Sequence, residues 1–352
     1  MPLNELRSGK ETTMSKKVSR RAVLSGLGAG AALLPTTARP LRAQEKITLK
    51  YATSLGEDSA YYKGAVALAD AAKQLSNGQL TIQIFANAQL GNDRDMVEGM
   101  QLGSIDMASP STGAMGAVVP AATVLDLPYI FDDHAHVYRV LDGPFAGELY
   151  KLFDGKGFHP LGYWEIGFRN LTNNVRPVRT PADVKGLKLR TLPAAVHQRA
   201  WSLVGAQPVA IDFTELYNAL QTGVVDGQEN PYNIILLGKL HEVQKHLSIT
   251  RHIYGTAPTS VSDKTWAKLS PALQGVLKEA VKRSTPIQRQ AAGGNEGAQL
   301  EKLKGFGMQV VDAPDRAAFQ KTMQPAWELY TGRFGAQGQA LIDAIRKEAA
   351  KT

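Results

Sequence analysis

The sequence contains no cysteine in its 352 residues. Disulfides, thiolate nucleophiles and cysteine-bound zinc are therefore excluded, and a chain of this length can bury a core without covalent staples. Long apolar runs are also missing. The segment Val23–Leu34 (VLSGLGAGAALL) covers 12 residues, short of the roughly 20 that a spanning helix needs, and no second run reaches that length. Catalytic signatures are equally sparse. There is no G-x-S-x-G, no H-E-x-x-H and no P-loop. Gly26-x-Gly28-x-x-Ala31 imitates a dinucleotide fingerprint but follows no strand. His134-x-His136 offers two ring nitrogens without the third ligand a metal site requires, so no metal and no cofactor are expected.

What is present begins with a leader. Lys16, Lys17, Arg20 and Arg21 precede the Val23–Leu34 run, and small residues follow as far as Ala43. A basic start, a short apolar stretch and a small-residue exit are the layout of an export signal over residues 1–43. Ser19-Arg20-Arg21 and the Gly/Ala-rich apolar stretch favour twin-arginine export over the general secretory route. Met14 is an alternative start. Residues 1–43 hold eight Lys/Arg and two acids, so they account for most of the formal net charge of +8. The remaining 309 residues carry 32 basic and 30 acidic side chains. The basic balance is thus a property of the leader and gives no ground for nucleic-acid binding.

A length of 309 residues predicts two lobes. Ile47–Thr53 alternates as a strand, Tyr61–Leu75 has helical periodicity, and Asn77-Gly78 turns into the strand Leu80–Phe85. Asp93–Leu102 reads as a helix stopped by Gly103. This order implies α/β lobes with largely parallel sheets. A unit recurs: Met100-Gln-Leu-Gly-Ser-Ile-Asp106 returns as Leu220-Gln-Thr-Gly-Val-Val-Asp226. Asp212 with Glu215 predicts a capping box at the start of the second copy's helix. Further helices are expected over Gln274–Ala291, Gly294–Lys304, Ala317–Tyr330 (interrupted by Pro325) and Ala340–Ala350. With no low-complexity linker, the chain should cross between lobes more than once, with ligand in the cleft.

Candidate ligand groups sit at strand ends. Tyr163–Asn170 is an aromatic segment ending at Arg169, and Leu187-Lys-Leu-Arg190 alternates so that Arg190 closes a strand. A guanidinium there presents a two-donor fork to a carboxylate, and a surface salt bridge explains the same pattern equally well. Asp226–Pro231 places amides and acids before an X-Pro turn.

Together these segments resemble the solute-binding proteins of tripartite ATP-independent periplasmic (TRAP) transporters, the DctP-like family. The resemblance is carried by Ala88–Gly91, Gln101–Asp106, Leu125–Tyr129, Tyr163–Glu165 with Gly167–Arg169, Gly186–Arg190, Ala219–Pro231 and Glu242–Lys245. It implies an α/β, two-lobed periplasmic binding-protein fold, each lobe a mostly parallel mixed sheet flanked by helices, joined by hinge strands and a long helix. Residues 44–166 with 256–295 would form the first lobe, and 167–255 with 296–352 the second. By position, Arg190 would pair with the ligand carboxylate, Arg169 would be the second cleft arginine, and Asn230 the amide beside them. Trp164 and Tyr254 would be walls, and Asp93 and Glu57 first-lobe contacts to hydroxyls. Ile166 departs from the more usual asparagine of the family. The implied activity is binding without catalysis, by a periplasmic monomer working with TRAP membrane subunits. The run Asp133–Gly143 with Gly162–Glu165 most resembles members that take sugar acids such as a uronate, aldonate or keto-gulonate. The alternatives are a C4-dicarboxylate receptor, a receptor feeding an ATP-driven importer, and a periplasmic enzyme using His134 or His136 as base.

Overall fold

A computed structural model describes residues 46–349, so the expected export signal over residues 1–43 lies outside the described residues. The chain builds two mixed sheets. The first starts with β1 (Ile47–Ala52), α1 (Ala60–Leu75), β2 (Leu80–Phe85), α2 (Asp93–Leu102) and β3 (Met107–Ala108), with β1 parallel to both neighbours. Ser59 caps α1 by accepting from the Tyr62 amide at 3.1 Å. The chain leaves that helix through Asn77 and Gly78, both at positive φ, the conformation their small or polar side chains tolerate. Along α1, Tyr61, Ala65, Leu68 and Ala72 share one buried face and pack into the first core with Tyr51 and Trp164. Reciprocal bonds between Asn92 and Asp95 cap α2, and Gly103 ends it in the left-handed region.

Helices α3 (His134–Asp142) and α4 (Ala146–Lys151) lead to the long strand β4 (Phe158–Phe168). The chain then passes into the second sheet with β5 (Asn170–Asn173), β6 (Lys188–Thr191), α5 (Ala195–Leu203), β7 (Gln207–Ala210), α6 (Phe213–Gln221), β8 (Gly227–Asn230), α7 (Tyr232–Leu237) and β9 (His246–Ser248). It returns through β10 (Tyr254–Ser262) and α8 (Asp263–Trp266) to α9 (Pro271–Ala292). The chain finishes with α10 (Glu296–Gly305), β11 (Gln309–Val311), α11 (Arg316–Met323) and α12 (Ala326–Ala349). Strand order is β2-β1-β3-β10-β4 in the first sheet and β11-β9-β5-β8-β6-β7 in the second. Most pairs within each βαβ stretch are parallel, while β10 and β5 run antiparallel to their neighbours.

Three crossings join the sheets. Two are strand continuations, β4 into β5 and β9 into β10, stitched together where the Arg169 amide donates to the Ile253 carbonyl at 2.8 Å. The third runs from α9 to α10 through Gly293. A Cβ there would come within 2.3 Å of Glu165 Oε1, so a side chain at this joint would collide with a buried carboxylate. The Gln288 amide locks α9 to β4, accepting from the Glu165 amide at 2.8 Å and donating to the Glu165 carbonyl at 2.7 Å.

In the C-terminal region Pro325 separates α11 from α12, and the two helices expected beyond it meet within the α12 span at the non-helical Gly335. Helix α12 rests on the backbone between β3 and α3. Tyr330 donates to the Ala121 carbonyl at 2.8 Å and Arg346 to the Ile130 carbonyl at 3.1 Å. The His136 ring nitrogen Nε2 meets the Ile345 carbonyl at 2.8 Å.

Candidate functional site

Between the two sheets lies a cavity of about 60 Å³ lined by both βαβ regions and by the crossing strand β4. Four of the expected residues meet there: Arg190 from the end of β6, Arg169 from the crossing, Asn230 from the end of β8 and Asp93 from the first turn of α2. Three do not. Glu57 is exposed in the loop after β1 and does not line the cavity. Trp164 is buried among Tyr51 and Tyr61 in the first core, one layer behind the cavity. Tyr254 packs against Phe168, Phe131 and His134. Trp164 shares its face of β4 and the first core with Ile166, which takes the cavity position two residues on, whereas Tyr254 belongs to a separate core with Tyr163 and Phe168.

The two arginines have different partners. Arg169 lines the cavity and is ion-paired within the protein through Nε and Nη2. Its Nε donates to Glu229 Oε2 and its Nη2 to Glu229 Oε1 at 2.9 Å, both side chains being buried. His252 Nε2 contacts the same carboxylate at 3.0 Å. Burial pushes the Glu229 carboxyl upward, but Arg169 and His252 more than offset this and hold it well below the usual carboxylate range. Arg190 is only 1 % exposed. Its Nε donates to the Ile211 carbonyl at 2.6 Å, and among the described residues no carboxylate forms an ion pair with it. Burial, and then the like charge of Arg169, lowers its pKa to about 10, so it stays protonated at neutral pH. Glu229, Asp93 and Asp212 partly offset this from a distance, but a buried guanidinium without an ion-pair partner remains costly, and an anion beside it would relieve that cost.

Opposite it, Asp93 Oδ1 accepts from Ser54 Oγ at 2.7 Å. Burial raises the Asp93 pKa, with Ser54 and Arg190 opposing and Asp212 reinforcing the shift. Asn230 is held by a donor bond to Gln228 Oε1 at 2.6 Å, and Gln228 donates in turn to Thr172 at 2.8 Å. The capping box expected at Asp212 does not form: its side chain makes no N-cap bond. Instead Asp212 Oδ2 accepts from Asn92 Nδ2 at 3.1 Å, linking the N-termini of α6 and α2 across the cleft.

The rest of the lining combines the hydroxyl-bearing Thr53, Ser54, Tyr61, Ser109 and Ser111 with an apolar part in which Leu55, Ile166, Phe213 and Ile234 are prominent. The sequence reading missed Phe213 and Ile234. Phe213 stands 120 residues after Asp93, the offset between Met100–Asp106 and Leu220–Asp226, so the repeat itself marks it. The rings of His134 and His136 reach different partners. His134 Nε2 lies 3.3 Å from Glu165 Oε1, whereas His136 faces Ile345.

Residues 51–332 match the profile of the bacterial extracellular solute-binding proteins, family 7. The chain is 32 % identical over 276 residues to the 2,3-diketo-L-gulonate-binding periplasmic protein of Escherichia coli, covering 78 % of this chain and 84 % of that one. A TRAP periplasmic solute-binding protein from Bordetella bronchiseptica, with density assigned to pantoate, superposes with a TM-score of 0.81 at 41 % identity, covering 86 % and 99 % of the two chains. Another from a Polaromonas species, bound to D-erythronate, gives a TM-score of 0.82 at 37 % identity over 86 % and 98 %. Among the described residues no helix is long and apolar enough to cross a membrane. A two-lobed fold with its cleft at the crossing strands, matched along most of its length, makes this chain a member of family 7 of the bacterial extracellular solute-binding proteins and a solute-binding protein of the TRAP class.

Proposed function

We propose that the protein is the extracytoplasmic receptor of a TRAP transporter, capturing a small hydroxylated organic acid through an Arg190–carboxylate pair. The observation that carries this reading is the buried, unpaired guanidinium of Arg190 in a cavity between the lobes. Asp93 supplies the complementary acceptor for a ligand hydroxyl, its Oδ1 already oriented by Ser54. The ligands named for three of the similar proteins, 2,3-diketo-L-gulonate, pantoate and D-erythronate, are hydroxylated carboxylates. Relatives at 31 % identity are named for C4-dicarboxylate or succinate, and the two structures of higher identity, 41 % and 37 %, weigh toward a hydroxy acid. The leader over residues 1–43 would take the chain to the periplasm, where the loaded receptor meets the membrane subunits.

Capture is an equilibrium of binding and closure, with no bond made or broken. The acid enters between the lobes, Arg190 takes its carboxylate in charge-assisted hydrogen bonds, and the lobes close about the crossing strands. Isothermal titration calorimetry of Arg190→Ala tests this directly. Removing one partner of a buried ion pair costs about 3–5 kcal/mol, so affinity should fall roughly several hundred- to several thousand-fold. An unchanged dissociation constant would refute the pairing.

A further inference from the structure

The cavity holds more than a carboxylate anchor, and its remaining walls constrain what the rest of the ligand can be. Leu55, Ile166 and Ile234 line it, and they belong to one continuous apolar cluster against which Phe213 also packs. These side chains come from the β1–α1 loop, the crossing strand β4, and the helices α6 and α7, so a single apolar wall spans both lobes. Ile166 is 7 % exposed, and its backbone carbonyl is already taken by the Asn233 amide at 3.3 Å.

Part of the polar lining is already engaged within the protein. Ser109 accepts from the Tyr51 hydroxyl at 2.9 Å and donates to Thr259 at 3.0 Å. Ser54 gives its proton to Asp93. Among the described lining residues, Arg190, Asp93 and Asn230 keep capacity for a ligand, as do the hydroxyls of Tyr61, Thr53 and Ser111, the last two accepting only from the Leu55 and Ala114 amides. A hexuronate carries a hydroxyl on nearly every carbon. Several of these would lose water against Leu55, Ile166 and Ile234 with nothing to replace it, an unfavourable exchange.

Charge points the same way. Glu229 neutralises Arg169, which leaves Arg190 as the lining cation without an ion-pair partner among the described residues. A second carboxylate on the ligand would meet Asp93 rather than another cation. The volume of about 60 Å³ is several-fold below the roughly 300–1,000 Å³ of ordinary ligand pockets.

We infer that the ligand is a compact monocarboxylate bearing one or two hydroxyls and a branched apolar carbon, and that Ile166 enforces this choice. The inference rests on the proposed Arg190–carboxylate reading and narrows it. The carboxylate sits on Arg190, a hydroxyl on Asp93, and the branched carbon against Ile166 and Ile234.

Calorimetry on the purified protein tests it with pantoate and 2,3-dihydroxyisovalerate against D-erythronate, D-glucuronate and succinate. At least one branched acid should bind about tenfold or more tighter than every unbranched acid, the scale set by one or two methyl groups in an apolar pocket. Ile166→Asn should shrink that ratio by about fivefold or more, because it supplies an amide where the wall was apolar. The wild-type ranking stands independently if this variant folds poorly. Equal or tighter binding of D-erythronate, D-glucuronate or succinate, abolished by Arg190→Ala, overturns the inference and leaves the anchor intact. Binding that persists in Arg190→Ala overturns the anchor and the inference with it. A panel in which nothing binds overturns the branched class.

Discussion

The two βαβαβ units that face the cleft follow one plan with different chemistry. In the first lobe β1-α1-β2-α2-β3 places β1 between β2 and β3; in the second β6-α5-β7-α6-β8 places β6 between β7 and β8. Each recurring helix ends at a glycine with positive φ, Gly103 or Gly223. Each recurring aspartate then accepts the amide of the adjacent first strand at 2.8 Å, Asp106 from Lys50 and Asp226 from Lys188. The N-cap residues Asn92 and Asp212, 120 positions apart, meet across the cleft. Yet the pairing register that aligns Ala52 with Ala108 aligns Arg190 with Gln228, so the second lobe has a cation where the first has a methyl group. At the next positions Ser109 stands opposite Glu229, and at the helix starts Asp93 opposite Phe213. The shared plan delivers strand ends and helix N-termini to one cleft. In the proposed reading, asymmetric side chains then give one lobe the anion anchor and the other the hydroxyl acceptor.

The largest test of this asymmetry is at the 109/229 pair. Ser109→Ala removes two neutral hydrogen bonds in a buried cluster and should cost about 1–2 kcal/mol of unfolding free energy. Glu229→Ala leaves the buried Arg169 guanidinium unpaired and should cost about 3–5 kcal/mol. Urea denaturation measures both. Equal losses would show that the second lobe's charged pair has no structural role beyond that of the hydroxyl cluster.

Next in size is Asp93 against its apolar counterpart. Asp93→Asn should weaken binding of a hydroxylated acid about tenfold to a hundredfold, the contribution of a hydrogen bond to a charged acceptor. Burial raises the Asp93 pKa. The folded protein therefore holds this proton more tightly than the unfolded chain. Its contribution favours folding at low pH and is lost as pH rises past the raised folded-state value. Asp93→Asn should accordingly raise the melting temperature of the ligand-free protein at neutral pH while lowering affinity. Wild-type affinity for the hydroxyl should decline on acidification through the raised Asp93 titration, and the variant should be flat there. Calorimetry across pH, paired with thermal melts, separates the two effects.

Much of this was legible in the sequence because it depends on local rules. The βαβ order followed from periodicity, the stops at Gly103 and Gly223 from glycine's access to positive φ, and the duplication from Met100–Asp106 and Leu220–Asp226. Arg190 was visible as a cation closing an alternating strand, although strand pattern alone could not separate a ligand anchor from a surface ion pair. What escaped was whatever tertiary competition decides. Trp164 and Tyr254 occur in the expected segments, but Trp164 packs into the first core beside Ile166 and Tyr254 into a separate core with Phe168 and Phe131, which no local pattern announces. Arg169 was legible as a cleft cation, but its buried partner Glu229, on the strand next to β5, was not. The Asp212 cap failed for a similar reason, since its carboxylate takes a donor from the other lobe.

That last difference supports the finest test of the comparison. Asn92 has two duties, capping α2 through the Asp95 amide at 3.0 Å and donating to Asp212 across the cleft. Asp212 has only the second, because it makes no cap of its own. Asn92→Ala should therefore lose about 1 kcal/mol of stability through the cap, while Asp212→Ala stays within about 0.5 kcal/mol of wild type. Both remove the same interlobe bond, so both should weaken ligand affinity by a similar factor of about two to five, the range of a half-exposed hydrogen bond. Denaturation curves and titrations of the two variants and the double variant measure this. If the bond acts only by holding the lobes closed, the double variant should bind no worse than either single one, because contacting residues are non-additive. Additive losses in affinity would mean that each side chain acts on the ligand site separately.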